Sequence, residues 1–410
     1  MLAIVGATAA ALAVRHDGDR TISTSTSPWQ TDLEPMAIGR GATSNLTVAA
    51  SRDRAVVAVA WYSEAATGPE VHLTSSFDGG STFTDPVLVD RNLESPDLFV
   101  LDDDTIVLGA YASTGAATPG WPVFYRSEDG TSFTKFIDLH DVVGEQTDRS
   151  TLPSATISSD GTRLVVAWHD HAHHDMSHSS APVNAIVSLD GGSTWSSPSA
   201  IAPASCHCCW ISTFSAGDEL GVGFRDQLDV DAATDERDTA FVMADSEGHF
   251  GSLQEPHDDQ WVMEREGCPA SGPRFDAVDD VVQAVWWTAA NDIPKFQYGR
   301  GTRHDGFDEP QQLTTPGGDG DAVDSGNFSI STDPDGTAWI MSSVFPMNAT
   351  GYDTLLWRAT EDQAPTWVND AAHPYGATTA GYDVAAVDNG AVIVFRDADN
   401  DRVMLQRVAG

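Results

Sequence analysis

Lysine is nearly missing from this chain of 410 residues, with only Lys135 and Lys295 present. Basic residues of both kinds number 21 against 61 Asp and Glu, so the formal charge at pH 7 is −40. This shortage of cations excludes nucleic acid as a partner, because phosphates would be repelled. The carboxylates run along the whole chain rather than forming a tail. In dilute buffer such a surface repels itself and strains the compact state. Screening over a few ångströms at molar salt removes most of that strain. The composition therefore reads as salt-adapted, that is halophilic, and loss of structure on desalting is expected.

Long apolar runs are lacking too. The stretch from Leu2 to Val14 is shorter than the roughly 20 residues of a membrane span. It fits the remnant of a signal peptide or anchor, and a Ser/Thr-rich stretch from Asp17 to Pro28 follows it as a stalk would. The expected division is an apolar segment 1–15, a polar linker 16–34 and one domain at 35–410. The expected location is extracellular or on the cell surface, with membrane contact only through the N-terminal segment. The sequons at Asn45, Asn327 and Asn348 fit an exported surface.

No long helical pattern occurs; a repeat takes its place. An apolar strand, a short turn, a second apolar strand ending mostly in an aromatic, a loop, a third strand and a tight turn recur. The second strands read Val56–Trp61, Ile106–Tyr111, Leu164–Trp168, Leu220–Phe224, Val282–Trp287, Ala338–Ser342 and Ala391–Phe395. Repeat units begin near residues 43, 95, 152, 206, 270, 327 and 381. The fold class is all-β, and this spacing predicts a propeller, with seven blades favoured over six. The last unit offers three strands, and a strand near Pro35–Arg40 is expected to complete it.

The turn after the third strand is distinctive. Ser76, Asp78, Gly80, Thr82 and Phe83 fit S-x-D-x-G-x-T-[WF], as do Ser188, Asp190, Gly192, Thr194 and Trp195. A shorter form holds Ser127, Asp129 and Phe133. The Asp should accept N–H groups of its own turn, the Gly should take positive φ, and the aromatic should pack back between sheets. These turns resemble the Asp-box (BNR-repeat) propellers of the sialidase superfamily. The likeness covers the first three units well and fades to forms such as Asp245 to Phe250.

Turns alternate between the faces of such a propeller, so the loops joining strands two and three share a top face with the links between blades. The loop after Trp168 holds His169, His171, His173, His174, Met176 and His178. The next link holds Cys206, His207, Cys208 and Cys209, and the following one holds Cys268. Imidazole, thiolate and thioether together suit copper first and zinc second, and a redox role is one expectation. Cys209 with Cys268 is the expected disulfide, whereas a bridge between Cys206 and Cys208 would close a strained loop. A solvated histidine loop and a purely disulfide-braced propeller are the bland alternatives. Some uncharacterised sialidase-like propellers carry a similar C-x-C-C and a later Cys-Pro.

Sialidases of the resembled family use an arginine triad for the sialic acid carboxylate, a Tyr/Glu nucleophile pair and an Asp acid/base. The resemblance implies Arg149, Arg225 and Arg396 for the triad, the last two from the strand ends Phe224-Arg225-Asp226 and Phe395-Arg396-Asp397. An ion pair between blade edges is the alternative use of each. The family's F-R-I-P motif is missing; Arg40 is the nearest arginine. Tyr375, Tyr382, Glu94 and Glu145 are near the top without a supporting motif. The functional alternatives to a metal protein are a sialidase-like glycoside hydrolase and a propeller that only binds surface glycans or a small anionic ligand.

Overall fold

A computed structural model describes residues 35–410 except 43, 52–54, 114–119, 145–149, 171–179, 228–234, 260, 264–270, 291–293, 315–327, 345–352, 369–380, 388–389, 398 and 410. The segments expected at 1–15 and 16–34 lie outside the described residues.

The chain forms a seven-bladed β-propeller. Blade one runs from the inner strand Ser44–Ala50 through Val57–Ala65 and Gly68–Ser76 to Val87–Arg91. Blades two to six begin on Leu93–Val100, Ser150–Ile157, Ser212–Ala216, Arg274–Val278 and Phe328–Thr332. The seventh blade has strands Tyr382–Val387, Gly390–Asp397 and Arg402–Ala409, and its outer strand is Met36–Arg40 from the start of the domain. Met36 pairs with Leu405 and Arg40 with Arg402. The sequence reading placed this closing strand within one residue.

Each expected second strand is present, from Val57–Ala65 in blade one to Gly390–Asp397 in blade seven. Their apolar residues point to both sides because each blade packs on a neighbour at each face. The core is accordingly divided. Among the described residues, seven apolar clusters occur, one at each blade boundary. Burying such clusters contributes roughly 25 cal/mol per Å² of apolar surface. Gly39 of the closing strand lies flat on Trp61, where a Cβ would come within 2.6 Å of the ring.

Inner strands of neighbouring blades pair through side chains rather than through a sheet. Asn45 donates to Ser95 at 3.1 Å between blades one and two. Ser159 donates to Asp102 at 2.9 Å between two and three. Ser154 and Thr213 share a bond of 3.0 Å between three and four. The N–H groups of Phe275, Thr332 and Ala386 donate to Ser212, Asp276 and Ser331 at 3.0, 2.6 and 2.9 Å. Val48 N–H donates to Asp383 at 2.8 Å and completes the ring. In the last four of these bonds a side chain satisfies a backbone N–H that the diverging inner strands leave without a ladder partner.

The turns at the bottom behave as their residue types predict. Asp78 accepts from the N–H groups of Ser81 and Thr82 and from the Thr82 hydroxyl, at 3.0, 2.8 and 2.6 Å. Asp129 accepts from Thr131 and Ser132 at 2.8 and 2.7 Å. Asp190 accepts from Thr194 N–H and Oγ1 at 2.7 and 2.6 Å. Ser76 and Ser188 each take an N–H from Gly80 and Gly192, both at 2.8 Å. Gly80 and Gly192 have φ of 77° and 87°. Trp195 packs against the cluster between blades two and three.

Candidate functional site

The inner strands enclose a central cavity of about 480 Å³, within the range of small-molecule sites. Near its top, bulges interrupt the inner strands of blades one, two and three, at Ser44/Leu46, Glu94/Asp97 and Thr151/Ser154. A bulge re-aims the side chains beside it. Asn45 and Ser95, hydrogen-bonded to each other there, both take positive φ, 50° and 48°.

Asp97, Tyr111, Arg274, Tyr382 and Asp383 line this end of the cavity. They come from the second, fifth and seventh blades. Arg274 donates to the Ile211 carbonyl at 3.2 Å, and that is its one hydrogen bond among the described residues. Four of its five N–H donors are therefore left for a guest. Asp97 is open to the cavity yet enclosed by protein. Burial, reinforced by the charge of Asp383, pushes its carboxyl up to about 7. Asp383 is raised by burial, against bonds from Ser329, Val48 and Val384 that lower it. Burial raises the Tyr111 and Tyr382 hydroxyls, and the Tyr382 oxygen accepts the Ser343 N–H at 2.9 Å. The site thus joins a fixed cation, two carboxyls that hold protons readily, and two neutral phenols. Only Tyr382 of this group was singled out from the sequence. Glu94 is half-buried on the inner strand of blade two; Tyr375 and Glu145 lie outside the described residues.

Among the described residues, the two arginines expected for the triad, Arg225 and Arg396, do not line the cavity. Arg225 is buried and donates to the carbonyls of Arg237, Ser271 and Trp287 at 3.1, 3.3 and 2.7 Å. Its guanidinium also stacks over Trp261, 4.9 Å from the ring centre. It is a clamp between blades four and five, because carbonyls at the blade junction claim its donors. Arg396 is half-buried on blade seven, its N–H bonded to the Gly381 carbonyl at 2.9 Å. Neither residue lines the cavity. Arg149 lies outside the described residues.

The histidine and cysteine expectation also changes. His169 is buried, with Nε2 2.9 Å from the Cys209 carbonyl and Nδ1 3.0 Å from the Ser205 hydroxyl. Both ring nitrogens are engaged, so His169 is no metal ligand. His171, His173, His174, Met176 and His178 lie outside the described residues. Cys209, expected in a disulfide with Cys268, carries a thiol and is in no disulfide, and the same holds for Cys206. Cys208 is disulfide-bonded instead, so its sulfur is not a thiolate ligand; Cys268 lies outside the described residues. His207 is half-buried on the same turn.

Cys206 ends the outer strand Ser199–Cys206 of blade three. Arg237, fully buried, donates to its sulfur at 2.9 Å, and the Cys209 thiol donates to it at 3.0 Å. The Cys209 bond, then the charges of Arg237 and Arg225, hold the Cys206 thiol well below its usual range. The same bond pushes the Cys209 thiol up. A cation at Cys206 would face two buried guanidiniums, so this sulfur favours anionic chemistry over metal binding.

No family model matches the chain, and no curated protein matches it. Solved structures do. An ulvan lyase from a new family of polysaccharide lyase superposes with TM-score 0.54 at 11% identity, covering 91% of this chain and 96% of that one. A fucose-specific lectin from Aleuria aurantia gives 0.50 at 10% identity, over 82% and 100%. A Hadza microbial sialidase gives 0.47 at 11% identity, over 84% and 74%. The shared property is the propeller fold, and fold alone does not assign chemistry.

Proposed function

We propose that this protein takes an acidic sugar at the top of its central cavity, with Arg274 receiving the sugar carboxylate. The observation that carries this reading is Arg274 itself: a guanidinium facing an enclosed space with one protein hydrogen bond. Planar, paired N–H donors suit a carboxylate. Asp97 and Asp383 would bond sugar hydroxyls, and the propellers of the lyase and the lectin are named for saccharide chemistry. Hydrolysis or lysis is the second reading. It is favoured by the Asp97 carboxyl, pushed up to about 7 by burial with Asp383 beside it, since a pair of carboxyls can divide acid and base roles.

The test is calorimetric binding in molar KCl of a uronate-bearing oligosaccharide and of its carboxyl-reduced counterpart. The acidic form should bind, the reduced form should lose at least about tenfold, and Arg274→Gln should erase the difference, as loss of about 1.4 kcal/mol requires. Equal binding of both forms rejects the carboxylate reading. A fluorogenic sialoside and absorbance of unsaturated uronate report cleavage on the same samples.

Export and salt adaptation belong to this proposal, supported by the apolar start of the chain and the charge of −40. Copper, or zinc in its place, is proposed only for His171, His173, His174 and His178 with Met176, and elemental analysis after purification in high salt checks it.

A further inference from the structure

Two thiols and a disulfide meet on the top face between blades three and four, away from the central cavity. The sulfurs of Cys206, Cys208 and Cys209 lie within 4.8 Å of one another. Cys206 and Cys209 are three positions apart, and the Cys209 N–H bonds the Cys206 carbonyl at 3.0 Å. That turn brings the two sulfurs to 3.0 Å. Both are buried, whereas Cys208 is half-buried and its sulfur is 3.3 Å from Cys206. The Arg237 guanidinium at 2.9 Å makes Cys206 the sulfur that carries negative charge.

We infer that Cys206 and Cys209 form a redox-active dithiol that exchanges with the disulfide of Cys208. The Cys206 thiolate attacks the Cys208 sulfur. A Cys206–Cys208 bond forms, the existing bond of Cys208 breaks, and the sulfur it held leaves with the electron pair. Cys209 then attacks Cys206, a Cys206–Cys209 bond forms, and Cys208 departs with the proton that Cys209 releases. One disulfide, one thiol and one thiolate exist before and after, so no outside oxidant is needed. The buried pair thereby delivers two electrons to the more accessible sulfur. There a low-molecular-weight thiol–disulfide couple can collect them.

Intact protein is equilibrated in molar salt over a series of reduced-to-oxidised glutathione ratios, quenched with acid, alkylated and mapped by mass spectrometry with fragmentation. The expected result is a second population with Cys206 bonded to Cys209 and Cys208 open to alkylation. Cys206→Ser should abolish that population, and Cys209→Ser should halt the exchange at Cys206–Cys208. The proposal is overturned if, in the wild-type protein, no ratio yields molecules in which Cys206 is bonded to Cys209 while Cys208 is alkylated. It is equally overturned if one copper or zinc per chain co-purifies and shields both thiols. Neither overturning result depends on a variant folding.

Discussion

Asp383 accepts the backbone N–H of Val48 at 2.8 Å across 335 positions of sequence. The bond joins the last blade to the first, and the same carboxyl faces the cavity near Asp97 and Arg274. Ring closure and the candidate site therefore share a group. Replacing Asp383 would disturb both, so it is a poor probe of function, whereas Arg274 and Asp97 separate the two roles.

Salt should govern stability. With a charge of −40, the midpoint of thermal unfolding should rise steadily from tens of millimolar to molar KCl as repulsion is screened. Circular dichroism at a series of salt concentrations measures it. A midpoint independent of salt would show that the carboxylates are already neutralised by local contacts.

Acidity should act in two opposite windows. Burial raises Asp97 to about 7 and Asp276 to about 6, against about 3.9 in an unfolded chain. The folded state therefore binds more protons between about pH 4 and 7, and stability falls as pH rises through that window. Asp78 runs the other way. Its bonds from Thr82 lower it to about 2, so its contribution is present above about pH 4 and lost as pH falls towards 2. Melting in molar salt should peak near pH 4 to 5, roughly where the two windows meet, and Asp97→Asn should flatten the upper limb. A melting temperature that climbs from mild acid to mild base contradicts this assignment.

Arg225 and Arg274 should give opposite phenotypes. Arg225→Met removes three bonds to carbonyls and the stack on Trp261. It should cost about 3 kcal/mol or more and leave sugar affinity unchanged in the folded fraction. Arg274→Gln should weaken binding with little effect on melting. Chemical denaturation and calorimetry on both variants decide the matter, and a reversed pattern would return Arg225 to the ligand site.

Gly39→Val should loosen the closing strand, since a Cβ already meets Trp61 at 2.6 Å. A cost of about 1–3 kcal/mol is expected for such overpacking. Hydrogen exchange should accelerate in Arg402–Ala409 before other strands. Uniform exchange across all blades would show that closure and global unfolding are one event.

The repeat was legible because each blade carries its own strand pattern and its own turn chemistry. Asp78, Asp129 and Asp190 speak through residues within four positions of themselves. The closing strand was legible because blade seven was one strand short. The cavity group was not. Asp97, Arg274 and Asp383 meet only because the seven inner strands surround one axis, and no local pattern marks that meeting. Arg225 was misread for a related reason. A strand-end arginine reaches the top face by register, but carbonyls of the next blade capture its guanidinium. The cysteine spacing suggested a cluster, yet the charge on Cys206 depends on Arg237, a residue from the neighbouring blade.

The pairing of Met36 with Leu405 spans 405 − 36 = 369 positions, which has a kinetic consequence. During synthesis, the first strand of the domain emerges early and has no partner until the final strand leaves the ribosome. Blades one to six can form in order as they appear, while the seventh waits on both ends of the chain. Such late, long-range pairing makes folding slow. It also leaves Trp61 without its Gly39 cover through most of translation, so the nascent chain, more than the finished molecule, carries the risk of aggregation.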